Sequence, residues 1–130
     1  MRVVFDTNIF VSALIFPESS ADKALHRIIQ GEDQLIISKA ILDELLGVLA
    51  RKFSRDREAL ARVALFLDDI ALTIKPGHRV KILSDDADNR ILECAVSGGA
   101  DIIVSGDHEL LALGDYNGIQ ILSLRKYIES

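Results

Sequence analysis

At 130 residues and 49% hydrophobic content, the chain has room for one domain over residues 1–130 and none for a second. A single cysteine, Cys94, excludes an internal disulfide or a cysteine zinc site and points to a reducing compartment, the cytoplasm by default. The net charge of −5, from 20 acids against 15 bases, neither requires nor excludes a nucleic-acid partner, because four acids gathered at one metal site would leave the remaining surface near neutral.

The chain opens on an apolar stretch, Met1–Phe16, which Asp6 and Asn8 interrupt, so it does not read as a signal peptide. No run approaches the ~20 apolar residues of a membrane span. The mean hydropathy of +0.25 therefore reflects a buried core. Arg2-Val-Val-Phe5 is β-branched and aromatic and predicts a buried strand with Asp6 at its C-terminal end. A helix through Leu14, a loop at Phe16–Ser20 and a second helix over Ala21–Gln30 follow, the last with apolar positions Ala24, Leu25, Ile28 and Ile29 and a stop at Gly31.

Leu35–Ile37 predicts a brief strand or extended turn, and Ser38 caps a long helix to about Phe53. After a break at Ser54–Asp56, helical spacing of Leu60, Ala64, Leu67 and Ile70 predicts a helix over Arg57–Ala71. Extended segments are expected at Leu72–Lys75 and Val80–Leu83, on either side of Pro76-Gly77. An acidic turn, Ser84–Asp88, leads into a helix to about Ser97 that Gly98-Gly99 stops. Asp101–Val104 is a further strand, followed by a short helix through Leu113, a last strand at Ile119–Leu122 and a terminal helix from Ser123. Strands alternating with helices imply right-handed crossovers and a mostly parallel sheet in a three-layer α/β/α domain. Such sheets bind ligands beyond the carboxyl ends of their strands.

Asp6 and Asp107 each follow a parallel strand, so both project from that edge. Asp88 continues the inward stripe of Ile91, Leu92 and Ala95, and Glu44 flanks the stripe of Leu42, Leu45, Leu46 and Leu49. Two carboxylates about 4 Å apart repel by roughly 1 to 4 kcal/mol, depending on the local dielectric. No lysine or arginine closely flanks Asp6 or Asp107, and an all-oxygen cluster suits magnesium or manganese, which activate water toward a phosphodiester. Each acid also has an ordinary alternative: a helix cap for Asp6 and Asp107, a solvated face for Glu44, and helix-dipole stabilisation for Asp85 and Asp86, which is preferred for those two.

Val-Val-Phe-Asp-Thr-Asn-Ile at 3–9, Ser-Lys-Ala-Ile-Leu-Asp-Glu-Leu at 38–45, Asp-Asp-Ala-Asp-Asn-Arg-Ile-Leu-Glu-Cys-Ala at 85–95 and Asp-Ile-Ile-Val-Ser-Gly-Asp-His-Glu-Leu-Leu at 101–111, in this order and spacing, resemble the PIN-domain family, in particular toxin components related to the VapC toxins. The resemblance covers nearly the whole chain. It implies a magnesium- or manganese-dependent ribonuclease whose metal-binding and catalytic acids fall on Asp6, Glu44, Asp88 and Asp107, with Asn8 and Ser105 as polar supports. It further implies an RNA substrate, frequent homodimers and often a cognate antitoxin. The chain has Asp85-Asp-Ala-Asp-Asn89 where relatives often have Asp-Pro-Asp-Asp-Asn, and Glu109 matches an acidic position that some relatives emphasise; Asp107 is favoured as the fourth acid.

Arg51, Lys52, Arg55, Arg57 and Arg62 form the densest basic stretch, read either as a grip on the RNA backbone or as a solvated face paired with Asp56 and Glu58. His108 adjoins Asp107 but has no ligand spacing with His26 or His78, and Cys94 reads as a packing residue. Two other functions remain open. One is a phosphohydrolase with Asp6 as nucleophile, although such enzymes usually place a second acid where this chain has Asn8. The other is a PIN-like scaffold that binds RNA or a protein without cutting.

Overall fold

A computed structural model of the chain describes residues 1–53 and 56–130. In chain order the elements are β1 (Arg2–Phe5), α1 (Thr7–Ile15), α2 (Ser20–Ile29), β2 (Gln34–Ser38), α3 (Lys39–Lys52), α4 (Arg57–Ile70), β3 (Ala71–Ile74), α5 (Asp86–Ser97), β4 (Ile102–Val104), α6 (His108–Leu113), β5 (Asp115–Tyr116), β6 (Ile119–Leu122) and α7 (Leu124–Glu129). The strands form a six-stranded sheet in the order β3-β2-β1-β4-β6-β5. Every pairing is parallel except β5 with β6.

The central strands are apolar on both faces because both faces are covered. Val3, Val4, Phe5, Leu35, Ile36, Ile37, Ile102, Ile103 and Val104 are all buried and belong to one contiguous core. From β1 the chain steps outward to β2 and then β3, whereas α5 returns across the sheet to β4 and packs on β1, β2 and β4. Right-handed crossovers therefore put the α1–α2 and α3–α4 connections on one face and α5 on the other, giving the expected three layers. The terminal helix α7 packs on α2 and β6. It is held by Arg27, whose guanidinium donates to the Tyr127 carbonyl at 2.8 Å and sits 4.6 Å from the Tyr127 ring centroid. The Tyr127 hydroxyl donates to buried Asp33 at 2.6 Å.

Four details differ from the sequence expectations. The stripe of α3 is rotated: Ile41, Leu45, Val48 and Leu49 are buried, while Leu42 and Leu46 are half-buried, which turns the Glu44 flank toward the sheet edge. On α2 the buried stripe is Ala21, Ala24, Leu25 and Ile28, and Ile29, expected to face inward, is 49% exposed. The extended segment at 80–83 stays outside the sheet and is strapped to α5 by side chains instead. Finally, Tyr116 and Ile119 pair across Asn117-Gly118 in a hairpin absent from the sequence reading. Both turn residues have positive φ, 52° and 83°, the conformation for which Asn-Gly is the usual hairpin signal. Ser54 and Arg55, where the break between the two central helices was expected, lie outside the described residues.

Candidate active site

The strand order makes one place special. The connection leaving β1 runs toward β2, and that leaving β4 runs the opposite way toward β6, yet β1 and β4 are neighbours. Their carboxyl ends thus open a crevice between diverging crossovers, where open α/β sheets bind ligands. Asp6 leaves β1 here, with its backbone N–H bonded to the Val104 carbonyl of β4 at 3.0 Å.

Asp6 is buried, and both of its oxygens are engaged. Oδ1 accepts the Asn8 N–H at 3.0 Å, capping α1, and Oδ2 accepts the Ser105 hydroxyl at 2.7 Å. Ser105 Oγ in turn accepts the Asp107 N–H at 2.9 Å, so one fully buried serine links the acids that follow β1 and β4. Asp107 caps α6, its Oδ2 accepting the Leu110 N–H at 3.0 Å. The capping roles considered as alternatives for Asp6 and Asp107 are real and coexist with their place in the crevice.

Asp6, Glu44, Asp88 and Asp107 all line one cleft of about 100 Å³, together with Asn8 and Asp85. Glu44 reaches it from the second turn of α3, above Val48, and its exposure fits a carboxylate at a rim. Asp88 enters from the first turn of α5 and is only 7% exposed. Burial, then the charges of Asp107, Asp85 and Asp6, push its carboxyl up to about 7. Among the described residues no lysine or arginine lines the cleft. Among the described residues, however, no three acidic, histidine or cysteine side chains converge closely enough to ligate an ion in their present rotamers.

What the residues do offer a cation is chemical: oxygen donors and net negative charge, with repulsion that no cation among the described lining residues relieves. That donor set fits magnesium or manganese.

Asp85 stands at the helix start, where a dipole role was expected of it, and caps α5 by accepting the Ala87 N–H at 2.9 Å, but it also lines the cleft. Glu109 is not among the residues lining the cleft; it accepts the Ser84 N–H at 3.1 Å and the Ser84 hydroxyl, tying α6 to the loop before α5. Thr7, Asn89 and Glu93 went unremarked in the sequence, although a polar residue at an inward helical position was the available signal. Thr7 is buried beside Asp6, while Asn89 and Glu93 are buried anchors for the loop before α5. Cys94 is buried and its thiol is pushed up to about 12 by burial, in keeping with packing.

The basic stretch splits between the end of α3 and the start of α4, and none of its described members lines the cleft; Arg55 lies outside the described residues. A larger cavity, about 640 Å³, lies at the opposite edge of the sheet beside Met1, Arg2, Asp33 and Asp101. Its polar groups are already matched to one another: the Met1 ammonium with Asp33 at 3.1 Å, and the Arg2 N–H with Asp101 at 2.9 Å. The acid cleft is therefore the better candidate. No helix among the described residues is long and apolar enough to cross a membrane.

The model of the PIN domain family matches residues 2–109 of the chain. An uncharacterized protein of Methanocaldococcus jannaschii is 30% identical over 121 residues, covering 90% of this chain and 77% of that protein. In structure the chain is similar to VapBC2 from Rickettsia felis, solved bound to a DNA fragment from its promoter, with a TM-score of 0.67, 17% identity and coverage of 95% of this chain and 98% of that one. It is also similar to VapBC-1 from nontypeable Haemophilus influenzae, with a TM-score of 0.66, 15% identity and coverage of 96% and 99%.

Proposed function

The chain belongs to the PIN-domain family, and from that premise we propose that it is a ribonuclease that hydrolyses RNA phosphodiester bonds with magnesium or manganese held by Asp6, Glu44, Asp88 and Asp107. The observation that carries this reading is one cleft, at the switch point of the sheet, lined by acids from four separate segments and, among the described residues, by no basic side chain. When bound there, the ion would supply an activated water and neutralise charge on the leaving oxygen. The protein's own contribution is orientation. Ser105 holds Asp6 and the Asp107 backbone together, and the cap bonds to Asn8 and Leu110 fix the two carboxylates near their helix N-termini.

A phosphohydrolase that uses Asp6 as nucleophile is the weaker reading. Such enzymes usually place a second acid two residues on, where this chain has Asn8. A non-cutting scaffold would have no need of four acids from separate segments lining one cleft.

The reading extends to a toxin working with an antitoxin, supported by the likeness in fold to the two VapBC structures. An apolar groove of about 180 Å³ beside Leu14, Leu49, Phe53 and Leu60 offers surface for a protein partner. A homodimer in the cytoplasm completes the picture. The test is Asp6→Asn: manganese-dependent RNA cleavage should drop at least roughly 100-fold, the scale of losing a group that orients a catalytic ion, while the melting temperature is held or raised. Cleavage equal to the wild type would refute the assignment, and covalent phosphoryl trapping on Asp6 would favour the phosphohydrolase.

A further inference from the structure

We propose that the RNA strand leaves the acid cleft along the groove between α3 and α5 and is gripped by the loop 75–81 through Lys75, Arg79 and Lys81. This rests on the ribonuclease reading above and names where its substrate lies. Three cavities form the path. The acid cleft shares Thr7, Glu44 and Ala87 with a second cavity of about 220 Å³, which shares Ala40 and Arg90 with a third of about 350 Å³. Arg79 and His78 line that third cavity. From Asp88 to Glu93 the helix rises roughly 8 Å, so a strand seated over the acids meets the loop within a few nucleotides.

The loop is built to present charge. Val80 is buried as a plug, its N–H donating to Glu93 Oε2 at 2.7 Å and its carbonyl accepting from Arg90 at 3.0 Å. The Gly77 N–H donates to Ser97 Oγ at 3.1 Å, and the Leu83 N–H to Asn89 Oδ1 at 2.9 Å. Arg90 also ion-pairs with Glu93 at 3.0 Å, which spends both charges on holding the strap. Arg79 and Lys81, on either side of buried Val80, are exposed, as are Lys75 and His78. Among the described residues none of these four makes an ion pair.

A chain of net charge −5 with an acidic cleft repels a polyanion unless cations stand beside the cleft. The loop supplies them on a pinned backbone. Of the other cations close by, Lys39 is engaged with Asp43 at 2.7 Å, and Asp86 is the acid that joins Glu44 in lining the middle of the groove.

The test compares the triple variant Lys75→Ala/Arg79→Ala/Lys81→Ala with Arg51→Ala/Lys52→Ala/Arg57→Ala and the wild type. Each full-length protein is assayed on a mixed-sequence single-stranded RNA of about 20 nucleotides, for manganese-dependent cleavage and for binding by fluorescence anisotropy in EDTA, between 50 and 200 mM KCl. Three lost phosphate contacts should lower the salt slope by about 2, so that the wild type loses roughly 20-fold more affinity across that range than the loop variant does. KM should rise about tenfold or more with kcat within about twofold, and the α3–α4 variant should behave as wild type. The substituted side chains are exposed, and unchanged thermal melting checks that the fold is kept. A loop variant with wild-type KM and salt slope, alongside a wild type that cuts RNA, overturns the proposed path alone. A wild type that neither binds nor cuts RNA overturns the path together with the ribonuclease reading.

Discussion

Replacing Asp88 with asparagine should stabilise the metal-free protein at neutral and alkaline pH. In the folded chain the Asp88 carboxyl is raised from 3.8 to about 7 by burial and by Asp107, Asp85 and Asp6. At about 1.4 kcal/mol per tenfold change in proton affinity, ionising it above pH 7 costs the fold at most about 4 kcal/mol. Water reaching the open side of the cleft reduces this to about 1–2 kcal/mol. The sign follows from proton binding. Between pH about 4 and 7 the folded state holds this proton and the unfolded chain does not, so wild-type stability falls as pH rises through that window. Asp88→Asn removes the titration while keeping a group of the same shape that can donate to Asp107. Thermal melts in EDTA should place the variant roughly 3–10 °C above wild type at pH 8 and near it at pH 4. Added manganese should then raise the wild type more than the variant. A variant that melts at or below wild type at pH 8, with native circular dichroism, would refute the claim that unrelieved carboxylate repulsion is built into the cleft.

Ser105→Ala removes the hydroxyl that Asp6 and the Asp107 N–H share; manganese-dependent cleavage should fall about 10- to 100-fold with little change in far-ultraviolet circular dichroism, and undiminished activity would mean that Ser105 orients nothing. Tyr127→Phe leaves buried Asp33 short of the 2.6 Å donor that helps hold its charge. Burial works against that charge, and the Tyr127 hydroxyl, the Met1 ammonium and Arg27 together outweigh it and keep the Asp33 carboxyl below its usual range. Urea unfolding should register a loss of about 1–3 kcal/mol, and a loss near zero would show that the Tyr127 hydroxyl does not help to hold α7. Gly98→Ala would set a methyl 2.5 Å from the Ile36 side chain and 2.9 Å from the Cys94 carbonyl. The expected cost is about 1–3 kcal/mol in the same assay, whereas tolerance would mean that the α5 terminus moves freely off β2.

Local pattern was enough for much of this molecule. The continuous apolar runs at Val3–Phe5 and Ile102–Val104, and the stripe of Ile91, Leu92 and Ala95, named buried elements because burial on both faces, or on one helical face, leaves a periodicity in the residues themselves. From those elements the sequence also determined that Asp6 and Asp107 emerge at the same sheet edge, since parallel strands share a direction. Other features depended on contacts between residues distant in the chain. Which side of α3 faces inward was settled by what it packs on, and the rotation toward Ile41 and Val48 is what brings Glu44 to the cleft rim. Val80–Leu83 has the apolar alternation of a strand, but Glu93, Asn89 and Arg90 satisfy its backbone in place of a sheet partner. No local window of sequence records such a competition between a neighbouring strand and side chains of α5. The same holds for the path from cleft to basic loop. Residues of α3 and α5 that stand far apart along the chain line its cavities together, because the packing of those two helices, and not the spacing of residues, sets their separation.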